Sequence, residues 1–113
     1  MTKWLLIAVA GFCLHEFLAT RGTVVSNYGI SFGIGQGLVG LIVLIEIMVI
    51  VVLWRIGGKM AAIGGLVNLG DRLRFGYVRD YWYLPIIGLY NNVGDWIIAV
   101  GIVGLLLQQL WKK

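Results

Sequence analysis

Charge is what this 113-residue chain has little of: 12% of its residues are charged, against 60% hydrophobic. Soluble domains run near a quarter charged, and one of this length has no interior large enough to hide so much apolar surface. The mean hydropathy of +0.94 therefore reads as a chain solvated by lipid. Cysteine is almost missing as well. Cys13 stands alone, which excludes an internal disulfide and any cysteine-based metal centre. It lies in an apolar run, where a buried thiol is expected. Histidine is limited to His15; with Glu16 it offers too few ligands and no HExxH spacing, so neither a metal nor a cofactor is expected. The net charge of +4 raises the question of nucleic acid, but the basic residues form no stripe with interleaved aromatics. They flank apolar segments, as in membrane proteins, and no nucleic-acid partner is expected.

What is present is four apolar segments, at about 4–20, 32–54, 59–78 and 92–111, forming one integral membrane domain over 1–113. About 20 residues cross the hydrocarbon core. A positive start followed by an apolar run also describes a cleaved signal peptide. Its AGFC stretch looks like a lipoprotein cleavage box, but Phe12 stands where a small residue is needed, so the segment reads as a retained anchor. The second segment opens on FGIGQGLVG (32–40), which resembles a phosphate loop. No strand precedes it and no Lys-Ser/Thr follows, so close helix packing through small residues is the better account. The single proline, Pro85, falls with Gly88 and several aromatics between segments three and four, as a loop or interfacial stretch. The fold class expected is all-α, with four transmembrane helices joined by short connections. Lys3, Arg55, Lys59, Lys112 and Lys113 fall on one side, and Arg21, Arg72, Arg74 and Arg79 on the other. The last three sit among polar residues of a suspected site. With those set aside, the positive side is cytoplasmic and holds both termini.

Ionisable groups at membrane depth cost about 2.5–3.5 kcal/mol each on insertion scales, so each needs a reason. Asn68, Asp71 and Arg72 share one face of helix three by their spacing. The plainer reading makes Asp71 and Arg72 a self-neutralising pair while Asn68 bonds a neighbouring helix. NVGD (92–95) echoes NLGD (68–71) and, at a helix start, resembles a capping box formed by Asn92 and Asp95. Asp80, in YVRDYWYL, would alone be a solvated interfacial acid. Topology changes its weight. We expect it to end the third helix, which runs outwards, while Asp95 begins the returning fourth helix only 15 residues later. Two carboxylates can then meet in a low-dielectric setting, share one proton, and act as base on water and acid on a carbonyl. Glu46, in the middle of segment two, needs a partner, a protonated Glu bonding a neighbouring helix being the simplest. His15 and Glu16 read as a snorkelling interfacial pair.

Four stretches in order, NYGISF (27–32), VNLGDR (67–72), GYVRD (76–80) and NNVGD (91–95), resemble the signal peptidase II family. That family is a group of bacterial lipoprotein signal peptidases with motifs N-x-G-x-A-F, G-N-x-x-D-R, G-x-V-x-D and F-N-x-A-D. The resemblance implies four transmembrane helices with both termini cytoplasmic, in the bacterial inner membrane, and an active site near the extracytoplasmic face. It implies a catalytic dyad of Asp80 and Asp95, with Asn27, Gly29, Asn68, Asp71, Arg72 and Asn92 lining or bracing the site. The implied activity is aspartyl endopeptidase cleavage of prolipoproteins before the diacylglyceryl-modified cysteine, with membrane lipids as the other partner. Nothing in the sequence demands an oligomer, so a monomer is expected. This chain departs from the pattern at Val67, Asn91 and Gly94, and carries HEFLATR (15–21) where the family has D-x-x-x-K. His15, Glu16 and Arg21 are the candidates to stand in. Only ten residues separate Glu16 from Asn27, so the family's extracytoplasmic β-cradle should be much reduced.

A rival reading comes from small multidrug transporters, also four-helix proteins of this length. In that reading Glu16 is the proton and drug site of an exporter, and the Asp and Asn residues towards the outer ends of helices three and four are left without a purpose. A non-enzymatic partner subunit on the same scaffold is a third possibility; the full set of dyad and bracing residues argues against it.

Overall fold

Helix α1 (Thr2–Ala19) shows how this protein distributes its apolar residues. Its buried positions, Gly11, His15 and Ala19, recur every four residues and so form one stripe. Leu5, Leu6, Val9, Phe12, Leu14 and Phe17 face outwards. Small and polar residues inside, large apolar residues outside, is the pattern of helices that pack within lipid. Cys13 is on the outward side, not buried as its apolar run suggests, because it lies off the 11–15–19 stripe.

In the computed structural model, which describes residues 2–29 and 37–112, three further helices follow: α2 (Val39–Arg55), α3 (Lys59–Phe75) and α4 (Val93–Trp111). Helices α1 and α4, of 18 and 19 residues, are long and apolar enough to cross a membrane. Helix α3 packs against the other three and contributes more buried residues than any other element, among them Ala61, Ala62, Gly64, Asp71 and Arg72. The glycine-rich run FGIGQGLVG, the expected start of the second segment at 32 and Phe32 of the first motif lie wholly or largely outside the described residues.

The approach of α3 to α4 is closer than side chains allow. A Cβ on Gly101 would lie 2.3 Å from the Ala61 nitrogen, and one on Gly64 would lie 2.6 Å from the Gly94 carbonyl oxygen. Glycine at these positions brings the two backbones into contact, and that contact sets the reach of any polar side chain between them.

The all-α expectation is corrected by four strands of three residues each: β1 (Val25–Asn27), β2 (Val78–Asp80), β3 (Trp82–Leu84) and β4 (Leu89–Asn91). Three residues are too few to display a period-two pattern, and β1 and β2 are far apart in the chain. They pair antiparallel, with Val25 opposite Asp80, Ser26 opposite Arg79 and Asn27 opposite Val78. Strands β3 and β4 form a hairpin whose turn holds Pro85 and Gly88, and the Tyr83 and Tyr90 rings meet across it at 4.6 Å. Helix α3 stops short of the expected residue 78. Gly76 takes φ of 81° and its N–H donates to the Arg72 carbonyl, a left-handed cap that ends the helix at Phe75. Asp80 therefore sits on a strand, not at a helix end.

Candidate active site

The first turn of α4 organises the two carboxylates. Asn92 is its N-cap: the Asn92 side-chain oxygen accepts from the Asp95 N–H at 3.1 Å, and the Asp95 carboxylate accepts from the Asn92 N–H at 3.0 Å. This is the reciprocal capping box that the sequence suggests. The box uses the oxygen of the Asn92 amide and leaves its nitrogen free. That nitrogen donates to Asp80 at 2.7 Å. One asparagine thus caps a helix and ties Asp95 to Asp80.

The remaining donors come from the other two motifs. Asn68, inside α3, donates to the second oxygen of Asp95 at 2.9 Å. Asn27, at the end of β1, donates to the second oxygen of Asp80 at 3.2 Å. Asn27 is aimed by Gly29, whose N–H donates to the Asn27 side-chain oxygen at 3.0 Å and so turns the amide nitrogen towards Asp80. Asp80 is 1% exposed. Burial, reinforced by the charge of Asp95, pushes its carboxyl up to about 6. Asp80, Asp95, Asn27, Gly29, Asn68 and Asn92 are thus brought together, with the Gly64–Gly94 approach placing Asn68 within reach of α4.

Asp71 and Arg72 do not join this group, nor do they pair with each other. Although adjacent, they leave α3 in different directions. The Arg72 Nε donates to Glu46 of α2 at 2.9 Å, which corrects the Asp71–Arg72 pair and gives Glu46 its partner on a neighbouring helix. Asp71 faces β2. One oxygen accepts from the Arg79 Nη2 at 2.9 Å; the other accepts from the Arg79 Nε at 3.0 Å, the Arg79 backbone N–H at 2.9 Å and His15 Nε2 at 2.8 Å. Arg79 extends further to Glu16, at 2.7 Å, and Glu16 also accepts from Arg74 at 3.1 Å.

His15 departs furthest from what its sequence context suggests. It is 2% exposed, deep in the bundle instead of snorkelling, and its Nδ1 lies 3.0 Å from the Tyr81 hydroxyl. That hydroxyl also accepts from the Val93 N–H, in the first turn of α4, at 2.9 Å. Burial pushes the Tyr81 phenol up to about 12, so it keeps its proton at neutral pH. The 11–15–19 stripe of small and polar residues could have shown that His15 faces inwards; no signal in the sequence pointed to Tyr81. Glu16 is bound by two arginines, so it does not offer the free carboxyl that the transporter reading requires. A recess of about 360 Å³ lined by Ile50, Val51, Trp54, Arg55 and Leu66 lies towards the α2–α3 turn and contains no acid.

A pair of carboxylates, Asp80 buried and Asp95 half-buried, bound by amides at one end of a helical bundle defines a candidate membrane hydrolase site. The fold agrees with that class. It matches a solved bacterial membrane enzyme with a TM-score of 0.79 at 22% identity, covering 99% of this chain and 89% of that one. A second solved bacterial membrane enzyme matches with a TM-score of 0.71 at 22% identity, covering 100% of this chain and 95% of that one. Residues 1–111 match the family described as signal peptidase (SPase) II, and the chain belongs to that family. The lipoprotein signal peptidase of Streptococcus agalactiae serotype Ia is 36% identical over 105 residues, covering 80% of this chain and 68% of the relative. That of Halothermothrix orenii is 35% identical over 103 residues, covering 80% of this chain and 70% of the relative.

Proposed function

We propose that this protein is an intramembrane aspartyl endopeptidase that removes the signal peptide of prolipoproteins before the diacylglyceryl-modified cysteine. The observation that carries the reading is the Asp80–Asn92–Asp95 linkage: two carboxylates held to one amide residue, with every described hydrogen bond to them coming from a neutral donor. Such a pair shares one proton, and its apparent ionisations belong to the pair. The ionised member takes a proton from water as that water attacks the scissile carbonyl; the protonated member hydrogen-bonds the carbonyl oxygen as charge develops there. Asn27, Asn68 and Asn92 hold the two carboxylates in place. Their donated hydrogens leave the faces of the pair to water and substrate.

The four helices are read as four spans, with both termini cytoplasmic and the carboxylates towards the extracytoplasmic face of the inner membrane. Charge supports that orientation. Arg72, Arg74 and Arg79, at the carboxylate end, are matched by Glu46, Glu16 and Asp71. Lys3, Arg55, Lys59 and Lys112 have no acidic partner among the described residues, against Arg21 at the other end, and this excess of uncompensated charge supports a cytoplasmic side. Nothing in the site calls for a second copy, so the enzyme is read as a monomer, with prolipoprotein and membrane lipid as its partners. The test is incubation of purified protein with a diacylglyceryl-modified prolipoprotein, comparing wild type with Asp80→Asn and Asp95→Asn. Cleavage by wild type and by neither variant is the expected result. Cleavage that survives either substitution overturns the dyad.

A further inference from the structure

Both residues that flank Asp80 in the chain are tied, through side chains, to the same histidine. Before it, Arg79 is clamped to Asp71 by three donors, its own backbone N–H among them. After it, the Tyr81 hydroxyl meets His15 at 3.0 Å, and His15 in turn meets Asp71 at 2.8 Å. The result is a closed ring, Asp71–Arg79–Asp80–Tyr81–His15, running through the main chain on either side of the carboxylate. The hydroxyl of Tyr81 also takes the Val93 N–H, so the ring is fastened to the helix turn that carries Asp95.

The direction of each bond in the ring is set by what its members are able to do. Val93 offers only a backbone N–H, so the Tyr81 oxygen accepts there and its single hydrogen is left for His15. The Asp71 carboxylate, already clamped by a guanidinium, accepts only, so His15 Nε2 donates. A neutral imidazole protonated on Nε2 meets both demands, with Nδ1 accepting from Tyr81. A doubly protonated ring would face the tyrosine with a second donor and deprive the hydroxyl hydrogen of its acceptor in a part-buried setting.

We propose that His15, as the Nε2-protonated tautomer, is a positioning residue for the peptidase reaction, closing through Tyr81 a ring that holds Asp80 in register with Asp95. It touches neither the substrate nor the reacting atoms. Its effect is on where the Asp80 carboxylate stands relative to its partner, so its loss reduces turnover more than substrate binding. This inference rests on the proposed dyad, and its experiment separates the two.

The chain has one histidine, so ¹⁵N-histidine labelling of tag-free protein in detergent micelles gives an unambiguous signal. The expected spectrum shows a protonated Nε2 and an unprotonated, hydrogen-bonded Nδ1, with the Nδ1 resonance moving in Tyr81→Phe. The opposite tautomer, or no change in Tyr81→Phe, overturns the assignment. In prolipoprotein cleavage, Tyr81→Phe and His15→Gln are each expected to lower kcat by roughly tenfold or more with KM within about twofold. Glutamine still reaches Asp71 and loses only the Tyr81 bond. The double variant should be no slower than the worse single one, because both remove the same link. Losses that multiply, a change confined to KM, or wild-type kcat in both single variants would sink the proposal. Activity retained by Asp80→Asn would instead remove the dyad itself.

Discussion

Two acid clusters lie side by side in this protein, and they are solvated in opposite ways. Asp71 is held by one cation and a histidine: Arg79 grips both its oxygens and His15 adds a further donor. Asp80 and Asp95 receive amide hydrogens alone, from Asn27, Asn68 and the side chain and backbone of Asn92. A guanidinium neutralises a carboxylate and locks it in the charged form; an amide orients it without cancelling its charge. The first cluster is suited to holding structure, and the second to exchanging protons. That contrast supports the proposal that the chemistry lies at Asp80 and Asp95 and the support at Asp71, although NLGD and NVGD look alike in sequence.

Exchanging the roles of the two clusters is the most direct way to break the comparison. Asp80→Asn or Asp95→Asn should reduce prolipoprotein cleavage by about 10³-fold or more, roughly 4 kcal/mol of barrier, while the protein still melts cooperatively. Asp71→Asn should act chiefly on stability: it leaves the Arg79 guanidinium short of its counter-charge and costs about 3–5 kcal/mol, read as a fall in melting temperature in detergent. Equal melting temperatures for Asp71→Asn and Asp80→Asn would erase the distinction between the clusters.

Proton linkage sharpens the same contrast. With its carboxyl pushed up to about 6, folded Asp80 holds a proton that the unfolded chain binds only near pH 4. Its contribution to stability is therefore complete below pH 4 and lost as the pH rises through 6, of the order of 3 kcal/mol in all. Thermal melts between pH 4 and 6.5 should show stability falling with pH, and Asp80→Asn should flatten that slope. A slope unchanged by the substitution would place the titration elsewhere.

Smaller effects test the scaffold and the surface. Gly101→Ala would drive a Cβ into the Ala61 backbone and should cost about 1–3 kcal/mol, with cleavage falling as Asn68 is pulled away from Asp95. Glu16→Gln removes a carboxylate that is 46% exposed from its two arginines and should change stability by less than about 1 kcal/mol. Cleavage should continue in this variant. Loss of proton-coupled drug flux in Glu16→Gln, from a protein that cleaves nothing, would restore the transporter reading.

Much of this site was legible in the sequence because its members are polar residues in lipid-compatible segments, where each one demands an explanation. Asn68, Asp71, Asp80, Asn92 and Asp95 stand out on that ground, and the capping box is readable from the spacing of Asn92 and Asp95 alone. The partners of those residues were less legible. Asp71 and Arg72 are neighbours of opposite charge, and proximity in the chain suggested a pair. On a helix, adjacent side chains point about 100° apart, so Asp71 met β2 and Arg72 met α2. Strands of three residues left no period to detect, so Asp80 was placed on a helix end when the left-handed Gly76 had already stopped the helix.

The sequence by itself determined that this chain lives in lipid, that its few acids had to be explained, and which asparagines and aspartates belong to the signal peptidase II pattern. Composition and local spacing are sufficient for those conclusions, because the cost of a charge at membrane depth does not depend on its partner. Tertiary structure alone decided which donor each acid received. Glycine contacts between α3 and α4 carried Asn68 to Asp95, strand pairing carried Asn27 to Asp80, and the inward stripe of α1 carried His15 to Tyr81 and Asp71. Hydrogen bonds between residues tens of positions apart are set by how elements pack, and no window along the chain contains that information.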